Sequence, residues 1–459
     1  MRMQLRTNRI PVGLIKAVQV FTVFAYLWGG AMAYGESRFE KWKNDHPFTI
    51  GVMYYDLAFG PDWYRDPTPD LVIDPNLDLL KRSGVNLLNE VSHSSGGHSE
   101  YAGVRAAHKA KISYMSLGAG WSGLENFQQR ARWWVGDKNY VGVQIADEPY
   151  DKKEQLLYAE QTKWLLDDHP DKLSLFCMQI TDQPKWQQMW EVIPTDGVIF
   201  QWYPYYTSNG KSLDLAPYAY GMLGFCVKFC KNKEIGFLVA RGVGGPPRSD
   251  SSLRLNTYAA LAYGCEGFID WRWGTTNKES GYAWYKDKKY QGPGGHFESL
   301  AKINAEVANL GPALTRLKYV QTYHANLAAT SWAGPVMGFA EKDGRRTGKL
   351  TAISGSTYPF TDHLMAGFFR DNHDEEYFMV VNKINSRARD VDEKALATNV
   401  TLTFANSVTA VERLSRETGT IETLEVVDGK LTFTLPAGTG DLFKYATGKP
   451  FSGVTAKVE

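Results

Sequence analysis

Tyr140-Val141-Gly142-Val143-Gln144-Ile145-Ala146-Asp147-Glu148-Pro149, with the run Lys152–Asp168 that follows it, decides the fold. Val141, Val143 and Ile145 alternate with a small or polar set, Gly142, Gln144, Ala146 and Glu148, which is the period of a β-strand. Pro149 cannot donate a ladder hydrogen bond, so it ends the strand and leaves two acids, Asp147 and Glu148, at its C-terminal rim. In Lys152–Asp168 the residues Leu156, Leu157, Ala159, Trp164 and Leu165 fall roughly on one face, which predicts a helix. If the branched set packs against helices, Glu148 points to the strand's other side.

The same strand-then-helix unit recurs along the chain. The apolar runs are Thr49–Tyr55, Val85–Val91, Ile112–Leu117, Tyr140–Glu148, Leu173–Ile180, Gly197–Tyr203, Ile235–Arg241 and Gly267–Trp273, separated by amphipathic stretches such as Leu255–Tyr263. Alternating strands and helices pair in parallel, and eight units over roughly 270 residues predict a closed (β/α)8 TIM barrel rather than an open doubly wound sheet. No Gly-rich phosphate fingerprint follows the first run, and Gly242–Pro247 lacks the Lys and the spacing of a phosphate loop. After the helix Ala301–Leu317 the pattern changes to short strands with turn signals between them: Met365–Phe369, Tyr377–Asn382, Val400–Thr403, Val408–Arg413, Lys430–Leu435 and Asp441–Tyr445. The expected division is a barrel domain over 34–320 and a small all-β sandwich over 321–459.

Residues 1–33 stand apart. Arg2, Arg6, Arg9 and Lys16 make a basic leader, Ala17–Leu27 is apolar, and Ala31-Met32-Ala33 fits a small-residue cleavage site, so a signal peptide is expected. The mature protein is then secreted or periplasmic, with no membrane partner after cleavage. A formal charge of +1 over 459 residues gives no electrostatic case for nucleic acid. The four cysteines have no zinc spacing, and Cys226 and Cys230, one helical turn apart, fit the packing side of a helix. His93 and His98 lack acids at a ligating distance in sequence, so neither a metal nor another cofactor is expected.

Taken together, a leader, an eight-strand barrel, an acid-Glu-Pro at strand four and a C-terminal sandwich resemble secreted glycoside hydrolases of the clan A type. Leu253–Gly267 leading into Phe268–Trp273 is similar to the last helix and strand of such barrels, and Tyr377–Asn382 and Leu435–Phe443 resemble the sandwich that follows. The resemblance implies a carbohydrate partner and makes Glu148 the general acid. A carboxyl in an aromatic-lined mouth holds its proton more readily, which suits that role. Asp147 stands where the clan commonly has Asn, and as an acceptor it fits a sugar hydroxyl; its alternative is to cap the next helix.

The clan's second carboxylate ends strand seven, where this chain has Arg241. Three substitutes lie at predicted strand ends, in order of preference Asp270, Glu90 and Asp56. Asp270 shares a parity with Arg272, which predicts either an inward acid–base pair or a buried structural ion pair with Arg272 or Arg241. Aromatic and polar residues at strand ends are the candidate sugar contacts: Tyr55, Trp121, Gln201, Tyr203, Tyr205 and Trp271, with Arg241 and Arg272 beside them. Two readings follow: a hydrolase of poly- or oligosaccharides, or a carbohydrate-binding relative without turnover.

Overall fold

The computed structural model describes residues 37–54, 77–89, 98–118, 123–148, 151–179, 189–204, 215, 217–245, 248–287, 289–325, 329–331, 334–336, 348–356, 363–386 and 393–455. The expected leader lies outside them. Arg38–Glu459 forms one compact unit.

Eight parallel strands close into a barrel in sequence order: β1 (Thr49–Met53), β2 (Leu87–Asn89), β3 (Ser113–Leu117), β4 (Tyr140–Asp147), β5 (Leu173–Gln179), β6 (Gly197–Trp202), β7 (Gly236–Arg241) and β8 (Gly267–Asp270). Closure is made by β1, which pairs with β2 on one side and, from Thr49↔Gly267 to Val52↔Asp270, with β8 on the other. Helices follow the strands: α1 (Arg38–Asp45) precedes the barrel, and α2 (His98–Ala110), α3 (Gly123–Trp134), α4 (Lys152–Asp168), α5 (Pro217–Lys233), α6 (Asp250–Ala262) and α7 (Phe297–Leu314) surround it, with shorter helical segments at 77–82 and 189–192.

Strand alternation produces two apolar layers. Met53, Leu87, Met115, Leu175, Cys177, Ile199, Leu238, Ala240 and Ile269 fill the barrel, while Val52, Leu88, Val143, Phe176, Val198, Phe200, Val239 and Phe268 pack outward on the helices. Fully burying such a side chain is worth about 1.5–3 kcal/mol, which strongly fixes the facing of each strand. Phe39 and Trp42 of α1 join the inner layer, and a Cβ on Gly236 at the start of β7 would lie 2.5 Å from the Phe39 ring. The N-terminal end of the barrel is therefore plugged, which leaves the C-terminal strand ends as the other end of the barrel.

A hairpin region follows β8, with β9 (Gly274–Thr275), β10 (Ala283–Lys286) and β11 (Lys289–Pro293). The C-terminal sandwich sets a six-stranded antiparallel sheet against a three-stranded one. The larger holds β12 (Lys318–His324), β16 (Leu364–Arg370), β17 (Glu376–Asn382), β19 (Ala410–Leu414), β20 (Ile421–Glu425) and β22 (Gly440–Tyr445), in the order β12-β16-β17-β22-β19-β20. The smaller holds β15 (Leu350–Gly355), β18 (Thr398–Phe404) and β21 (Lys430–Leu435), while β13 (Ala329–Ser331) and β14 (Gly334–Val336) pair separately. Phe368, Phe378, Val380 and Phe443 meet Val400, Leu402 and Leu435 between the sheets. The outer face of the large sheet packs on α6, where Met365, Met379, Val381 and Leu442 join Tyr258, Leu261 and Ala262 in the main core. Ion pairs line the same joint: Arg254 holds Glu306 at 2.6 Å on the barrel side, Arg416 binds the buried Asp441 on the sandwich side, and Arg416 Nε reaches Glu306 Oε2 at 4.0 Å across it.

All four cysteines are unbridged and buried, Cys226 and Cys230 on the packed side of α5 as expected. Among the described residues no helix is long and apolar enough to cross a membrane.

Candidate active site

The mouth is shaped by irregularities in β4. Its register slips against β3 between Tyr114 and Met115, and against β5 between Gln144 and Ala146, so β4 carries extra residues on both sides. Two glycines make this geometry accessible. Gly142 has φ +148°, and a Cβ there would lie 2.0 Å from the Leu173 carbonyl oxygen; a Cβ on Gly118 would lie 2.5 Å from that of Ile145. The slips change which residues face inward. Val141 belongs to the inner layer, Gln144 bonds Asn89, Asp147 pairs with Cys177, and Val143, Ile145 and Ala146 join the outer layer.

The acid turned into the mouth is therefore Asp147. Gln201 Nε2 donates to its Oδ1 at 3.3 Å and also lies 3.5 Å from Cys177 Sγ. Partial desolvation among these neighbours, and then the charge of Glu148, raise the Asp147 carboxyl above the usual aspartate range. Asp147 does not cap the next helix. That role belongs to Asp151, whose carboxylate accepts the Lys153 and Glu154 N–H groups at 2.8 and 3.1 Å. Simple alternation put Glu148 in the inward set, and the slips correct this. Glu148 lies just past the ladder, half-buried, with φ +49° and its N–H bonded to the Cys177 carbonyl at 3.0 Å. A left-handed conformation costs a non-glycine residue about 1 kcal/mol or more, and such strain clusters at functional sites.

Asp270 is corrected more fully. Ile269 and Trp271 face the lumen, so Asp270 faces the helices and is completely buried. Its oxygens accept Arg241 Nε at 2.5 Å, Arg241 Nη2 at 2.7 Å and the Tyr282 hydroxyl at 2.6 Å. Arg241 also donates to Thr257 and Asn304 and lies over the Phe268 ring. Asp270 and Arg241 form a structural ion pair outside the barrel, and neither reaches the mouth. Arg272 is not the partner of Asp270.

Among the candidate sugar contacts, Gln201 touches Asp147, and Tyr203 and Trp271 form a half-buried aromatic wall with ring centroids 6.1 Å apart. Arg272 lies above Trp271. Glu90, Tyr55, Asp56, Trp121, Tyr205 and His93 fall outside the described residues, as does the side chain of His98. One lumenal pair escaped the sequence reading: Asn89 Nδ2 donates to Gln144 Oε1 at 2.5 Å, both fully buried. Its signal was an amide at the parity of Leu87 in the second apolar run.

No protein-family model matches the sequence, and no curated protein matches it. Among solved structures the chain is similar to Saccharomyces cerevisiae Gas2p in complex with laminaritriose and laminaritetraose, at 13% identity and a TM-score of 0.40, over 56% of this chain and 64% of that one. It is also similar to an endo-beta-1,4-mannanase from Thermotoga petrophila (11% identity, TM-score 0.40, 74% of this chain and 96% of the other). A third is a putative alpha-L-fucosidase from Bacteroides thetaiotaomicron (11% identity, TM-score 0.41, 58% and 96%). The chain spans less than two thirds, 63% and 64%, of the first two Gas2 structures it matches. The barrel itself is read from the strand pairing.

Proposed function

We propose that this protein is an exported glycoside hydrolase acting on a poly- or oligosaccharide, with Glu148 as proton donor and Asp147 as the acid that orients the sugar beside it. The observation that carries this reading is the acid pair at the open end of β4, in a closed parallel barrel whose other end is plugged. Open ends of such barrels are where reacting residues gather. Glu148 would give its proton to the departing glycosidic oxygen, while Asp147, aligned by Gln201, accepts a hydroxyl of the bound ring. Tyr203 and Trp271 offer flat apolar faces to sugar C–H groups. With Asp270 committed to Arg241, the next choices for the second carboxylate are Glu90, one residue past the C-terminal end of β2, and then Asp56, just past β1. Glu148→Gln is expected to lower hydrolysis on a glycan panel by about 100-fold or more at unchanged fold. Undiminished hydrolysis by that variant refutes the assignment.

A second reading, sugar binding without turnover, is favoured by one observation: both Arg241, at the end of β7, and Asp270, at the end of β8, are spent on a buried ion pair. Measurable glycan binding with no turnover across the panel would select it.

A further inference from the structure

Among the described residues Arg272 has no acidic partner. Its Nε is buried and meets no acceptor, and among the described residues no carboxylate pairs with the guanidinium, which lies 5.4 Å above the centroid of the half-buried Trp271 ring. The ring attracts the cation without neutralising it. The arginine is also held in place. Gly244, just after β7, donates its N–H to the Trp271 carbonyl at 2.8 Å, and a Cβ on Gly244 would lie 3.2 Å from Arg272 Cγ, so the missing side chain is where the arginine stem passes. A buried guanidinium donor without an acceptor is costly and uncommon in folded proteins. With Nε covered, the terminal Nη groups, which no described residue accepts, are the donors a ligand at the barrel mouth can meet.

We propose that the mouth takes an acidic sugar, with Arg272 binding the anionic group, a uronate carboxylate or a sulfate ester, while Trp271 carries the ring. This rests on the carbohydrate reading above and adds the substrate class. The planar fork of arginine matches either anion with two parallel hydrogen bonds, which a neutral hydroxyl cannot return. Strand order adds a direction. In a closed ring of eight, β4 and β8 lie opposite each other, so the acids at the end of β4 and the arginine after β8 stand on opposite sides of the mouth. The charge pattern repels an anion from the acid wall and draws it to β8, which sets which end of the ligand lies over Glu148.

The test is calorimetric binding and turnover with the mature chain, using oligogalacturonate and chondroitin sulfate oligosaccharides against neutral galacto- and cello-oligosaccharides of equal length. Wild type is expected to prefer one acidic class by about 10- to 100-fold, the range of a charge-assisted pair, with the preference weakening as salt rises. In Arg272→Gln that ratio is expected to collapse towards one, and in Arg272→Lys, which keeps the charge but not the fork, to fall part of the way. The salt dependence of the wild type tests the same claim if Arg272→Gln does not fold. Equal affinity for acidic and neutral glycans, with neutral ones hydrolysed, overturns the proposal and leaves the hydrolase standing. Acidic binding that depends on Arg272 without turnover of any glycan supports the proposal and sinks the hydrolase. No binding of either class overturns both. The uronate and sulfate arms identify the anion.

Discussion

Asp270→Asn separates a structural carboxylate from a catalytic one. The amide keeps the volume of the acid, so no cavity forms, but one oxygen becomes an NH2 group. Oδ1 accepts Arg241 Nε at 2.5 Å, and Oδ2 accepts Arg241 Nη2 at 2.7 Å and Tyr282 at 2.6 Å. Whichever oxygen is replaced, at least one donor then faces another donor, and the Arg241 charge loses its counter-charge at side-chain exposures of 1% and 0%. A lost hydrogen bond to a charged group costs about 1.5–3 kcal/mol, and stranding one member of a buried pair about 3–5 kcal/mol. These describe one event, so the expected loss is about 3–5 kcal/mol, a large part of the ~5–15 kcal/mol that holds a typical domain. Urea titration followed by tryptophan fluorescence reads it as a lower midpoint. Replacing both members, Arg241→Met with Asp270→Leu, is expected to recover most of the loss, because no charge is left buried. An Asp270→Asn protein with the wild-type midpoint and hydrolysis reduced 100-fold would refute the placement of Asp270 outside the mouth.

Gly142→Ala forces a Cβ to 2.0 Å from the Leu173 carbonyl at φ +148°, so a loss of about 2 kcal/mol or more is expected in the same titration, and an unchanged midpoint would mean that β4 is not bulged there. Asp147→Asn acts through pH. The folded-state pKa of Asp147 is raised, so the carboxyl contributes its stability fully below the ordinary aspartate range and loses it as pH rises through the folded value. The variant is expected to be more stable than wild type at neutral pH, with the advantage disappearing below about pH 4, as read from urea midpoints across that range. A variant less stable at pH 7 than at pH 4, relative to wild type, contradicts the raised pKa.

The barrel was legible because it is written in local patterns. Lys152–Asp168 is the helix its spacing predicts, residue for residue, and Lys430–Leu435 is likewise the strand, since each needs only its own period and its stop signals. The ends at Leu117 and Arg241 were read correctly and others too long: Gly267–Trp273 ends at Asp270, where the ladder partners run out. The hairpin region after β8 and the strands Lys318–His324, Leu350–Gly355 and Ile421–Glu425 were not anticipated. In Ile421–Glu425 and Lys318–His324 polar and charged residues interrupt the apolar alternation, because each lies at an edge of the large sheet.

The site was harder for one physical reason. Which face a residue takes is local only while the strand stays in register, and β4 does not. Its slips depend on Gly142 and also on Gly118, a residue of the neighbouring strand's end whose missing Cβ lets Ile145 approach, and the window Tyr140–Pro149 records only the first. Alternation alone sends Glu148 inward; the added residue sends Asp147. At Asp270 the alternation with Ile269 and Trp271 did hold and Arg241 was among the partners it allowed, but the pattern could not choose the outer side of the barrel, nor Arg241, 29 positions away, over Arg272, nor reveal Tyr282, 12 positions away. Arg272, one step past Trp271, meets no carboxylate among the described residues. Two arginines at the ends of adjacent strands thus differ in kind: Arg241 is neutralised within the fold, and Arg272 is left for a ligand to complete.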